Sequence, residues 1–282
     1  MIGRLTILGL GLLGGSVAKA ARAKGLAREI VAVGRRRERL EPGLRDGVVD
    51  RISTDVAEGV DGADLCLLAT PVATLAELLP TVWRAVPDDA VITDVGSTKA
   101  GIVSTAEALA RTRPVTFVGS HPMAGSEQSG YAVSRADLFH GATVVVTRTE
   151  QTPEGAVKRV SALWEALGGR VIVLEPVEHD RAVAAISHLP HLVADALVDA
   201  VVRLDPAFLD LAARGFKDTT RIAAADPQMW REIFQENRTA LAEAVGAFRR
   251  ALGDLEALIA QDDAARIEAE LGRIRAVRDG LK

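Results

Sequence analysis

Residues 5–16 read "LTILGLGLLGGS": a short apolar run, glycines at positions 9, 11 and 14, and then a segment able to continue as a helix. The spacing is GxGxxG, placed directly after a strand. Each glycine has its own task in such a turn. Gly9 allows the tight reversal, Gly11 lets backbone approach a pyrophosphate, and Gly14 allows the helix to pack closely on the strand, with its N-terminus facing the anion. The pattern alone is weak; inside a βαβ unit it points to dinucleotide binding.

The rest of the first half supplies that context. Apolar runs at 30–33, 65–69, 90–95, 115–119, 142–147 and 170–175 read as strands, with helix-length segments at 14–24, 72–84 and 98–110 between several of them. Strands spaced by helices predict a parallel sheet covered on both faces, so the fold class is α/β, a Rossmann-type doubly wound and mostly parallel sheet. After residue 176 the strand signal stops. "EHDRAVAAISHLPHLVADALVDAVVRL" reads as a long helix with a kink expected at Pro190. Further on, Leu241, Val245, Phe248, Leu252, Leu255 and Ile259 recur at spacings of three and four. Residues 1–176 are therefore expected to form a dinucleotide-binding domain, and 177–282 an all-helical substrate and dimerisation domain. Its surplus apolar face suggests a homodimer.

The second strand candidate runs into "VAVGRRRERL", residues 31–40. A ribose-binding acid is expected about 20 residues beyond the last glycine, and that position is Gly34. Arg35 and Arg36 follow it, and guanidinium groups pair bidentately with phosphate. This favours NADP over NAD, the competing reading being solvated charge at a helix start. The expected cofactor-binding set is Gly9, Gly11, Leu12, Leu13, Gly14, Gly34, Arg35, Arg36, Thr70, Pro71 and Ser97.

Composition sets limits on function. The 282 residues are 48% hydrophobic and 26% charged with a net charge of −4, ordinary for a soluble globular protein and unlike a dedicated nucleic-acid binder. The single cysteine, Cys66, lies in an apolar run, which suits a reducing cytoplasm. The N-terminus has no small-residue cleavage site, so no signal peptide is expected. No run of ~18 uninterrupted apolar residues marks a membrane span.

Residues 117–130, "FVGSHPMAGSEQSG", follow a strand at the end where ligands bind in this architecture. Pro122 favours an extended His121, whose imidazole is suited to accept a proton near neutral pH. Lys217 and Arg221 lie four apart in "FKDTTRIAA". If that segment is helical they share a face, at a cost of a few tenths of a kcal/mol unless an anion lies between them. The bland alternative is that Asp218 and Asp226 solvate the pair. His188 and His191 raise a metal reading, but no third ligand stands at a recognisable spacing, and no metal is expected.

"GSHPMAGSEQSG" resembles the signature loop of the prephenate and arogenate dehydrogenases. "DVGSTK" (94–99), "SHLPH" (187–191) and "GFKDTTRIAAADPQMW" (215–230) resemble that family's strand-end, helical-histidine and substrate-binding motifs, in the same order. The resemblance implies NAD(P)-dependent oxidative decarboxylation of a cyclohexadienol, giving 4-hydroxyphenylpyruvate from prephenate or tyrosine from arogenate, in tyrosine biosynthesis. It implies His121 as the base that takes the substrate hydroxyl proton and Ser97 as the residue that orients it. A structural alternative makes Ser97 an N-cap of a helix starting near Thr98. Ser126, Glu127, His188, Lys217, Arg221 and Trp230 are the implied substrate-binding residues. A helical Trp such as Trp230 is more often simple core, and His140 and His179 are given no functional role. With an end at residue 282, no chorismate mutase or regulatory domain is expected. The rival enzyme reading is a two-domain NADP-dependent dehydrogenase of the hydroxyisobutyrate or imine reductase type, which lacks the "HPMAG" loop. A cofactor-sensing regulator is the rival from another class, and it has no need of a base.

Overall fold

The computed structural model describes residues 1–125 and 128–281. The first half alternates β1 (Ile2–Leu8), α1 (Leu12–Ala23), β2 (Ala27–Val33), α2 (Arg37–Arg45), β3 (Arg51–Ser53), α3 (Val56–Val60), β4 (Leu65–Leu68), α4 (Val72–Ala85), β5 (Val91–Asp94), α5 (Ala100–Ala110) and β6 (Thr116–Val118). These six strands form one sheet of order β3-β2-β1-β4-β5-β6, every pair parallel. The order reverses between β1 and β4, and the glycine turn after β1 lies at that switch point, where the crevice of such a sheet opens. β4 shows why the sequence folds this way. All four residues of "LCLL" are buried, Leu65 and Leu67 in the cluster on one face of the sheet, Cys66 and Leu68 in the cluster on the other. A strand covered on both sides has to be apolar throughout.

The remaining strands leave this sheet. β7 (Ser120–Pro122) pairs antiparallel with β8 (Thr143–Thr147), which pairs parallel with β9 (Arg170–Leu174) after α6 (Glu154–Ala166). Sequence reading placed 142–147 and 170–175 in one continuous sheet; instead they build a second, three-stranded one. Val144 and Val146 of β8 join Val160 and Trp164 of α6 in the core cluster that also holds Leu5 and Ile7 of β1. β3 and β7 have three residues each, too few for alternation to show.

From Pro176 onward, apart from short connections, the chain is helical: α7 (Pro176–Val183), a π-type turn (Ala184–His188), α8 (Leu189–Leu204), a 3-10 segment (Pro206–Leu211), α9 (Arg214–Thr220), a 3-10 turn (Arg221–Ala224), α10 (Pro227–Glu236), α11 (Arg238–Ala260) and α12 (Ala264–Asp279). The expected kink at Pro190 takes another form. Pro190 lies in the first turn of α8, and the widened turn just before it ends at His188. Proline removes one helical hydrogen bond and crowds the preceding turn, and a π-type turn relieves both. The run Pro176–Leu204 is 29 residues long with a window of mean hydropathy 1.3, long and apolar enough to cross a membrane by length and composition. A search for uninterrupted apolar residues passes over it because acidic residues and histidines interrupt the run. Phe208, Leu211, Phe248, Leu252, Ile259, Leu271 and Val277 are exposed along these helices, a larger apolar surface than a small monomeric domain ordinarily shows.

Candidate active site

Where the two halves meet, the ends of β5 and β7 hold a buried ionic cluster. Asp94 ends β5, and its carboxylate accepts from the Gly96 N–H (2.8 Å) and the Ser120 N–H (3.0 Å) and pairs with the Lys99 ammonium. Both side chains are fully buried, where an ion pair persists only with such hydrogen bonds. Burial lowers the Lys99 pKa, and Asp94 opposes the shift. The "DVGSTK" motif thus contributes an acid and a lysine that lock the turn following β5.

Alternation along β7 then places the histidine. Ser120 points inward to Thr93 (2.9 Å between hydroxyl oxygens), so His121 points the other way, toward α7. There its Nδ1 lies 2.9 Å from His179 Nε2, and His179 Nδ1 lies 2.8 Å from Asp180 Oδ1. Asp180 also accepts from the Lys99 N–H (2.8 Å) and the Ala100 N–H (2.9 Å). It therefore caps α5 from the helical half, and no serine does so. Burial pushes the His121 pKa well below its ordinary value, and charge on His179, Lys99 and His188 would push it further. Its ring is neutral at pH 7 and available as a base.

Ser97 departs from expectation on both counts. The Nδ1 partner of His121 is His179, and α5 begins at Ala100 with Asp180 on its first N–H groups. Among the described residues the Ser97 hydroxyl has no hydrogen-bond partner. Ser97 lies partly exposed in the turn after β5, at the same end of the sheet as the glycine turn after β1. His179, Asp180, Lys99 and Asn237 were missed. Asn237 stands between α10 and α11, and its Nδ2 donates to the Asp180 carbonyl (2.7 Å) and to His188 Nδ1 (3.2 Å).

His188 is buried at the end of the π-type turn, and burial pushes its pKa down to about 4, with Asp180 opposing. His191 does not converge with it. Its ring stacks on Trp230 at 3.6 Å between centroids, while Trp230 stands edge-on to His188 at 6.0 Å. Trp230 thus joins the two histidines, and its indole Nε1 is buried without a partner among the described residues. Lys217 and Arg221 lie exposed on α9 and at its C-cap, packed through the 214–224 segment on α8. No hydrogen bond or ion pair joins either to His121, Ser97 or His188 among the described residues. Neither has an ion-pair partner among the described residues: Asp218 pairs with Arg214 (3.2 Å) and Asp226 caps α10. Both acids invoked by the bland reading are engaged elsewhere. Ser126 and Glu127 lie outside the described residues.

The glycine turn fits a dinucleotide. A Cβ on Gly9, whose φ is +100°, would stand 2.4 Å from the Ala69 carbonyl oxygen, and one on Gly14 2.0 Å from the Gly9 oxygen, whereas Gly11 faces open space. Gly11 caps α1 without a side-chain bond, which leaves the first N–H groups of the helix, at Leu12 and Leu13, directed at the crevice. Across it, between β4 and Pro71 at the start of α4, the Thr70 hydroxyl is buried with no partner among the described residues. Beyond β2, Gly34 packs on Leu40, and Arg35 and Arg36 are exposed at the N-terminus of α2. Arg37 pairs with Glu41 (3.3 Å), but neither Arg35 nor Arg36 has an ion-pair partner among the described residues.

Comparison with known proteins agrees with this architecture. Residues 17–173 match the family model for the prephenate dehydrogenase nucleotide-binding domain, and 175–273 that for the prephenate dehydrogenase dimerization domain. The prephenate dehydrogenase of Bacillus subtilis is 34% identical over 281 residues, spanning 98% of this chain and 76% of the relative. The crystal structure of prephenate dehydrogenase from A. aeolicus in complex with hydroxyphenyl propionate and NAD+ superposes with a TM-score of 0.93 at 33% identity, covering 100% of this chain and 99% of that one. Synechocystis arogenate dehydrogenase follows at a TM-score of 0.87 and 29% identity, covering 98% and 99%.

Proposed function

We propose that this chain, which belongs to the prephenate dehydrogenase family, oxidises the ring carbinol of prephenate with loss of the ring carboxylate. Arogenate, with an amine in place of the side-chain keto group, is the second substrate of the same chemistry. The family match supports an NAD(P)-dependent oxidoreductase acting on a CH–OH donor over the hydroxyisobutyrate-type alternative, and a sensor has no need of the base that His121 offers. The observation that carries the base assignment is His121, neutral, with Nδ1 engaged by His179 and Nε2 left for a substrate.

His121 Nε2 takes the hydroxyl proton as the carbinol C–H bond breaks, with Ser97 beside the same crevice. A bound nicotinamide dinucleotide supplies the hydride acceptor. Lys217 and Arg221, two cations four residues apart with no ion-pair partner among the described residues, hold carboxylate, and a bidentate guanidinium makes Arg221 the stronger of the two. His188 and Trp230 wall the substrate, and Ser126 and Glu127 complete its loop. Burial of the histidine cluster excludes water and strengthens each of these interactions. Gly9, Gly11, Leu12, Leu13 and Gly14 cradle the pyrophosphate, while Thr70, Pro71 and Ser97 flank the nicotinamide end. Residues 1–176 act as the cofactor domain and 177–282 as the substrate and dimerisation domain. The exposed apolar face of the latter is assigned to a second copy of the chain in a cytoplasmic homodimer, not to a membrane.

NADP is the favoured cofactor. Arginines at the positive end of a helix are disfavoured by a few tenths of a kcal/mol, and a ribose 2′-phosphate on Arg35 and Arg36 removes that cost. The test crosses prephenate and arogenate with NADP and NAD, following reduced nicotinamide absorbance. Expected is a higher kcat/KM with NADP, and loss of about tenfold of that preference in Arg35→Ala and Arg36→Ala, one charge-assisted bond each. A tenfold preference for NAD refutes the cofactor assignment, and absence of turnover in all four pairings refutes the activity.

A further inference from the structure

We propose that His179 and Asp180 are positioning residues that hold His121 as its Nδ1–H tautomer, leaving the Nε2 lone pair to receive the proton. The inference rests on the reading of His121 as base. Asp180 accepts three hydrogen bonds, from Lys99 N–H, Ala100 N–H and His179. Burial alone would raise its pKa, but these bonds hold it below the usual carboxylate value. A carboxylate only accepts, so the proton between it and His179 sits on His179 Nδ1. A neutral His179 then has a bare Nε2, which stands 2.9 Å from His121 Nδ1. His121 must be the donor in that contact, and its second nitrogen is an acceptor.

The same residue sorts the second histidine the opposite way. Asn237 Nδ2 faces the Asp180 carbonyl, which can only accept, so this atom is the amide nitrogen, and its other proton goes to His188 Nδ1. His188 therefore carries its proton on Nε2 and is a donor. Through its carboxylate and its carbonyl, Asp180 thus presents one acceptor and one donor imidazole, matching a hydroxyl that must lose a proton beside groups that must be held. A motif search singles out neither His179 nor Asp180, because each acts on another side chain.

The experiment uses the full chain, labelled with 15N-histidine and saturated with NADP+. Its five histidines are assigned by long-range 1H–15N spectra, with His121→Asn identifying the His121 signals. Expected is a protonated Nδ1 and an unprotonated Nε2 on His121. His179→Leu loses this pattern and about 100-fold in kcat with NADP+ affinity unchanged, the size of a general-base effect. His179→Gln, which keeps an acceptor toward His121, recovers about tenfold. A proton on His121 Nε2 in the wild type, a doubly protonated His179, or a His179→Leu kcat within about threefold of wild type overturns the proposal. If His179→Leu does not fold, the wild-type spectrum decides. Absence of turnover with prephenate and arogenate would instead overturn the activity, and the tautomer is read without substrate.

Discussion

Asp180→Ala tests how the two halves of the chain are joined. The Asp180 side chain is 8% exposed and takes three donors within 2.9 Å, two of them the first N–H groups of α5 and one from His179. Loss of the cap accounts for roughly 0.5–2 kcal/mol, and the hydrogen bond from His179 to a charged acceptor for about 1.5–3 kcal/mol. Relief of the buried carboxylate returns part of this, so a net loss of about 3 kcal/mol is expected at pH 7. That corresponds to a fall in melting temperature on the order of 5–10 °C for a chain of this size. The sign with pH is fixed by the lowered folded-state pKa. The contribution is complete above the unfolded value near ~3.9 and is lost as pH falls through the folded value, so the gap between variant and wild type closes in that acid range. Urea and thermal unfolding, followed by circular dichroism at neutral and acid pH, measure both. A loss below about 1 kcal/mol at pH 7, or a gap that persists below the carboxylate range, would refute this account of Asp180.

Three other perturbations separate the roles assigned above. Gly14→Ala places a methyl group 2.0 Å from the Gly9 oxygen and must displace α1; NADP+ affinity, read by fluorescence titration, is expected to fall by tenfold or more, one turn-dependent set of backbone bonds. His121→Asn is expected to lower kcat by about 10² with cofactor affinity unchanged, and unaltered turnover removes His121 as base. Arg221→Ala should raise the KM for prephenate with little change in the NADP+ constant, and a change in the cofactor constant alone places Arg221 outside the substrate site.

Much of the first half was legible in the sequence because its signals are local. A glycine turn, apolar runs of strand length and the helices between them each depend on a few adjacent residues, and the sheet of β1–β6 follows from them by the rules of parallel connection. β8 and β9 also carry strand patterns, yet which sheet they join depends on Gly119 and the reversal into β7, and three residues display no period. The expectation for Arg35 and Arg36 came from an acid missing at a predictable distance from the turn.

The proposed base was visible as a residue type in a loop, but its partner was not. His121 and His179 are 58 positions apart, and the packing of α7 beside α5 and the β7–β8 pair brings them together. The same packing leaves neither expected place to Ser97, since His179 stands at His121 Nδ1 and Asp180 accepts from the backbone at the start of α5. Sequence by itself thus determined the sheet, the cofactor turn and the chemical identity of the candidate base. Tertiary structure decided which groups stand against the His121 ring, His179 at Nδ1 and Asp180 behind it, because such a chain of donors and acceptors is assembled through space, and adjacency in sequence carries no record of it.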